Sequence, residues 1–178
     1  MVSLTVLFYI LVGLFAIIGS TRGRTKEFLV TLAAVVAIFC NAILEQFIPG
    51  YKEYLTRDST AMLFYVRGGI ICLIVILGYL TPKLPQIFVN QNPLGKLKDA
   101  FWGLFFGAIN GYLIVGSIWA YMDDAGYPIP AITAPDATTA FGKTAISMIS
   151  ALPPHIFTPP GIYFVVAVAF VIILGAFV

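Results

Sequence analysis

The chain has 178 residues, is 60% hydrophobic and only 10% charged, and has a mean hydropathy of +0.98. A soluble domain carries about 25% charged residues, so there is too little polar surface here to cover a globule in water, and lipid is the solvent. A net charge of +2 without a basic tail excludes nucleic acid as a partner.

Five runs are long and apolar enough to cross a hydrocarbon core, which takes roughly 17–25 residues in a helix. In chain order they are Leu4–Ser20, Phe28–Ile48, Ala61–Leu80, Ala100–Met122 and Gly161–Val178. Barrel strands would read as alternating segments of about ten residues; no such alternation is present, and backbone hydrogen bonding in lipid then leaves helices. The first run has no basic leader and no small-x-small site before the following charges, so it reads as a retained helix rather than a cleaved signal. The expected fold is an all-α integral membrane protein, a bundle of about five transmembrane helices plus one short amphipathic surface helix. Residues 1–122 form a four-helix membrane region, 123–160 a proline-rich extracytoplasmic segment, and 161–178 a C-terminal transmembrane helix.

Between the first two spans lies "GSTRGRTKEF", residues 19–28, with Arg22, Arg24 and Lys26 followed by Glu27. Basic residues near span ends favour the cytoplasmic side. This loop, together with Lys83, Lys96 and Lys98 in the third, holds six basic residues against three (Lys52, Arg57 and Lys143) in the opposite loops. The expected topology is a multi-pass protein of the bacterial cytoplasmic (inner) membrane, N-terminus outside and C-terminus inside. The cluster also fits helix chemistry. Arg22 and Arg24 follow the negative end of one helix, Gly23 permits the backbone turn, Thr25 is a candidate N-cap, and Glu27 sits where the next helix dipole favours an acid.

The fourth span, "DAFWGLFFGAINGYLIVGSIW", spaces Gly103, Gly107 and Gly111 four apart on one helix face. In lipid such a face lets two backbones approach and gain dispersion contacts, and Asn110 beside it can hydrogen-bond across the interface. The neighbour is either in the same chain or in a partner. Trp102 fits an interfacial belt.

Two stretches together carry a family resemblance. The first is Arg22-Gly23, then Glu27 and an apolar run; the second is Asp99, Gly103, Phe106-Gly107 and Gly111 followed by "YLIV". On these residues the region from Gly13 to Met122 resembles the colicin V production protein (CvpA) family of small bacterial inner-membrane proteins. The resemblance implies an envelope location and no established catalytic activity, and it carries over no catalytic residues. A typical member is a four-span protein with a polar tail, whereas this chain adds a proline-rich segment and a fifth apolar run.

That segment, residues 123–160, holds seven of the eleven prolines. Within it, Asp136 is a candidate helix cap. Phe141, Ala145, Met148, Ile149 and Leu152 fall on one face, opposite Thr138, Thr139, Lys143, Ser147 and Ser150. The pattern is that of a short amphipathic helix, either lying on the membrane surface or acting as a lid or subunit contact.

Two charges fall inside spans, Glu45 and Arg67. An arginine at mid-span costs about 2.5–3.5 kcal/mol on insertion scales, and the antiparallel arrangement puts Glu45 within reach as a structural ion-pair partner; snorkelling or an ion path are the alternatives. Cys40 and Cys72 lie mid-span as small apolar residues. His155 is the only histidine, so this chain offers no two-histidine metal or haem site. No catalytic, cofactor-binding or metal-binding motif is present, and no cofactor is expected. The functional expectation is a non-catalytic accessory or scaffold subunit whose partners are membrane lipids and other integral membrane subunits; the alternative is a small transporter or channel involved in export.

Overall fold

The structure, a computed structural model, describes residues 3–57, 59–80 and 93–177. Among the described residues the chain forms helices only: α1 (Leu4–Arg22), α2 (Arg24–Phe47), α3 (Tyr51–Thr56), α4 (Thr60–Tyr79), α5 (Pro93–Asp124), α6 (Ala140–Ile149), α7 (Pro153–Ile156) and α8 (Gly161–Phe177). Four of them, α1, α2, α4 and α5, are long and apolar enough to cross a membrane. The fifth expected span is α8, of 17 residues. Lys83, counted among the basic residues of the third loop, lies outside the described residues.

Local chemistry sets the helix ends. Gly23 adopts φ +85°, a region in which a Cβ is strained, and its N–H donates to Gly19 O at 3.0 Å to close α1. Because α2 starts at Arg24 directly after this turn, Thr25 lies inside the helix and is not its cap; Arg24 N instead donates to Asp99 Oδ1 at 3.2 Å. Ser59 caps α4, its Oγ accepting from Ala61 N at 3.1 Å. The helix after the proline-rich stretch is capped by Thr139, whose Oγ1 accepts from Gly142 N at 3.0 Å, rather than by Asp136. Asp136 closes the preceding turn, accepting from Thr138 N at 2.8 Å.

Helix α5 is the longest element, with 32 residues, about 48 Å at 1.5 Å per residue. It begins at Pro93 rather than near Ala100, because a proline is compatible with a helix start and nothing in Leu94–Asp99 breaks the turn. It packs most closely on α1, and α2, α4 and α5 each contact the other two. Ala34, Ala37, Val30, Ile38, Ile71 and Ala120 form the centre of the bundle. The α6–α7 segment caps one end, where Leu152, Pro153 and Ala145 are buried. Gly116 makes room for Pro153: a Cβ there would lie 2.7 Å from Pro153 Cδ. The expected face of α6 is corrected at one position. Phe141 is 68% exposed and Gly142 is buried in its place, because a Cβ at residue 142 would run into the backbone of Asp136.

Candidate functional site

Arg67 sits on α4 facing α2 and α5, with its side chain only 4% exposed. Its Nη2 lies 2.5 Å from Glu45 Oε1 on α2, and Nη1 lies 2.9 Å from Asp124 Oδ2 at the end of α5. The guanidinium also lies over the ring of Tyr121, 5.2 Å from its centroid, a distance at which the ring quadrupole attracts a cation. Asn41 Nδ2, one helical turn from Glu45, donates to Arg67 O at 3.2 Å. One guanidinium therefore ties three membrane helices together. The planar fork of arginine presents two parallel donor pairs, which lysine cannot do.

The network continues outwards. Lys52 Nζ on α3 lies 2.9 Å from Glu45 Oε2, so both oxygens of that carboxylate meet cations. On the other side, His155 Nε2 on α7 lies 3.5 Å from Asp124 Oδ1, while His155 Nδ1 is 2.7 Å from Ile149 O. These groups surround a cavity of about 400 Å³, also lined by Ile38, Ala42, Gln46, Phe157 and Thr158. Its lining mixes charged and apolar side chains. Tyr163 on α8 donates its hydroxyl to Oε1 of the lining residue Gln46, and its ring meets Phe39 edge-on at 5.9 Å.

A second polar cluster occupies the opposite end of the bundle. Glu27 is fully buried and lies 3.0 Å from Arg22 Nε, which in turn sits 4.2 Å from the centroid of the Tyr79 ring. Asn110 Nδ2 donates to Glu27 O at 3.0 Å and to Glu27 Oε2 at 2.8 Å. Thr31 Oγ1 donates to Asn110 Oδ1 at 2.7 Å. The Asn110 amide thus satisfies a buried carboxylate and a backbone carbonyl across the α2–α5 interface, where an unpaired group would cost about 1–3 kcal/mol.

Beside this cluster α1 and α5 run antiparallel in close contact. A Cβ on Gly103 would lie 3.1 Å from Gly23 Cα; one on Gly107 would lie 3.0 Å from Gly19 Cα and 3.1 Å from Ala16 Cα. One on Gly111 would lie 2.9 Å from Val12 Cα. The neighbour of the glycine face is therefore a helix of the same chain. Asp99 ties the end of this seam by pairing with Arg24 at 3.8 Å. Lys26 makes no contact that enters the site.

Sequence reasoning identified Glu45 and Arg67 but missed the second carboxylate, Asp124, because the Asp123-Asp124 pair reads as an acidic loop. The available signal was its position: α5 ends on the side where Glu45 and Arg67 lie. The burial of Glu27 was also missed, since a carboxylate beside three basic residues reads as solvated. His155 is held in a one-turn helix, 3.5 Å from Asp124. Cys40 and Cys72 are free thiols.

No curated protein and no solved structure matches the chain. The family model described as colicin V production protein matches residues 4–137, from the start of α1 through the whole of α5 and into the proline-rich segment. With four helices able to span a bilayer and both polar clusters inside the matched region except for His155, this multi-pass membrane protein belongs to the colicin V production protein family.

Proposed function

We propose that this chain is a non-catalytic accessory or scaffold subunit that packs within a larger membrane complex. The observation that carries this reading is the apolar layer between the two polar clusters. Val30 and Ala37 are 0% exposed, Ala34 and Ile71 1%, and Ile38 2%. A path for an ion or polar solute would have to cross this layer, where a charged group costs several kcal/mol. The clusters then serve as fasteners at either end, in a solvent that provides no hydrophobic drive between helices. Purification in a mild detergent followed by mass measurement tests the reading: the expected result is a mass exceeding that of the lone chain, and a stable monomer would count against it.

A small export transporter is the second reading, favoured by the 400 Å³ cavity at one end. It requires the Ile38–Ile71 layer to part. Under that reading Glu45→Ala and Arg67→Ala abolish flux at normal protein levels, whereas under the first they lower the levels. The proposed orientation keeps Arg24 in the cytoplasm. Arg24→Cys in intact cells then resists a membrane-impermeant thiol reagent, and Lys143→Cys reacts.

A further inference from the structure

The cavity around Arg67 has more hydrogen-bonding capacity than its internal ion pairs use, and the unused groups are complementary to each other. The carbonyl of Ile149 can only accept, so the 2.7 Å contact places a hydrogen on His155 Nδ1. His155 Nε2 stands 3.5 Å from Asp124 Oδ1, longer than an ordinary hydrogen bond, and the Asp124 side chain is 39% exposed, so this oxygen is open to a donor in the cavity. On the opposite side of the guanidinium, Lys52 Nζ meets Glu45 Oε2 at 2.9 Å with its side chain 55% exposed. An ammonium has three donors, so two point elsewhere.

The cavity therefore presents an acceptor at Asp124 and donors at Lys52. The formal charges of Lys52, Arg67, Glu45 and Asp124 sum to zero. A simple anion would meet Lys52 but also two carboxylates, and a simple cation would meet Arg67 and Lys52. A molecule carrying both charges satisfies both sides. The depth of the lining adds a second constraint. Ile38 and Ala42 line the cavity together with Phe157. On α2 they lie seven and three residues before Glu45, roughly 10 and 4.5 Å along the helix axis. Charged and apolar side chains lining one cavity, at the end of a membrane-spanning helix, suit an amphiphile.

We propose that this cavity binds a zwitterionic phosphate ester bearing a primary ammonium, with the phosphate at Lys52 and the ammonium at Asp124. The same chemistry is available as the headgroup of a phosphatidylethanolamine or as free phosphoethanolamine. The assignment does not depend on the accessory role proposed above, because it concerns a ligand rather than a protein partner.

Native mass spectrometry of the intact chain, released from mild detergent with phosphatidylethanolamine, phosphatidylcholine and phosphatidylglycerol of identical acyl chains, tests it. Trimethylation removes the ammonium donors and the glycerol headgroup removes the cation, so phosphatidylethanolamine is retained roughly ten-fold over both. Lys52→Gln, at an exposed position outside the bundle core, lowers the retention of all three lipids, because each carries the phosphate; Asp124→Asn abolishes the preference for phosphatidylethanolamine if the variant folds. In a parallel arm, a rise in melting temperature with millimolar phosphoethanolamine assigns the cavity to a free solute, and lipid preference without that rise assigns it to a headgroup. Equal retention of the three lipids with no stabilisation by phosphoethanolamine overturns the proposal, as does a retention of phosphatidylethanolamine that Lys52→Gln leaves unchanged.

Discussion

Adding a single methyl group to the α1–α5 seam tests whether close backbone approach holds these helices together. In Gly107→Ala the new Cβ would lie 3.0 Å from Gly19 Cα and 3.1 Å from Ala16 Cα, and would also press on the carbonyl of Phe15. All three obstacles are main-chain atoms of the facing helix, so no side chain can rotate aside and α1 itself must move. Overpacking of this kind costs about 1–3 kcal/mol. Helix propensity works the other way, since alanine is favoured over glycine by roughly 0.5–1 kcal/mol in a helix interior. The net loss expected is about 1–2 kcal/mol, about a five- to thirty-fold fall in the folded-to-unfolded ratio. Gly69→Ala is the matched control. It is also a mid-helix glycine, but a Cβ there meets nothing within 4 Å, so only the propensity gain remains. Reversible unfolding in mixed micelles, titrated with sodium dodecyl sulfate, measures both. Equal stabilities for the two variants would refute the inference that backbone proximity at Gly107 matters.

Replacing Arg67 by methionine leaves Asp124 without its cation and Glu45 with Lys52 alone, for a loss of about 3 kcal/mol, the lower end for a broken buried pair because both carboxylates are partly exposed; Arg67→Lys retains part of it, and the same micelle titration distinguishes the two. Asn110→Leu strips the fully buried Glu27 of its amide donor and should cost about 1–2 kcal/mol, with a smaller loss in Thr31→Val. Asp136 responds to pH. Hydrogen bonds from the Thr138 amide and hydroxyl hold its carboxyl below the usual range, so the turn's stabilisation is complete above the unfolded carboxylate value of about 3.9 and is lost as pH falls through the lower folded value. Amide exchange at Thr138 should then be insensitive to Asp136 protonation from pH 7 to 5 and speed up below about pH 4, after allowance for intrinsic exchange rates, and Asp136→Asn should remove that acid-side change.

The long helices were legible because lipid imposes one rule on every residue of a span: few charges over roughly 20 positions. That rule says little about where a helix continues into the aqueous phase. Pro93–Asp99 contains two lysines and an aspartate, yet it extends α5 without interruption. Short elements such as α3 and α7 lie below the length at which hydrophobic periodicity is informative, and they are fixed by what they bury: Leu55 of α3, and Pro153 seated on Gly116. Phe141 and Gly142 show the limit of an amphipathic wheel. Size and apolarity favour the phenylalanine as the inward residue, but the nearby Asp136 backbone leaves space only for the glycine. Partners distant in sequence were the least visible. Asn110 was identifiable as a polar residue beside a glycine face, but its contact with Glu27, 83 residues away, depends on how α2 and α5 cross, and no local pattern encodes that.

The two polar clusters differ in a way that bears on function. At the Glu27 end the components match one another: one carboxylate meets one arginine and one amide, and the amide oxygen is taken by Thr31. Fastening α1, α2 and α5 together accounts for these contacts, while the Tyr79 hydroxyl beside Arg22 is buried without a hydrogen-bond partner. At the Arg67 end the guanidinium needs one carboxylate for neutrality and has two, one of which recruits a further cation while the other faces a histidine. Fastening α4 to α2 would need only Glu45. The additional groups come from α3, α5 and α7, and they line a cavity rather than a packed interface. Lys52 and Asp124, 55% and 39% exposed, keep part of their hydrogen-bonding capacity open to that cavity. The Glu27 cluster is thus a packed interface, while the Arg67 cluster lines a cavity with charged groups open to it, and a ligand with one positive and one negative group is the simplest occupant that engages both signs.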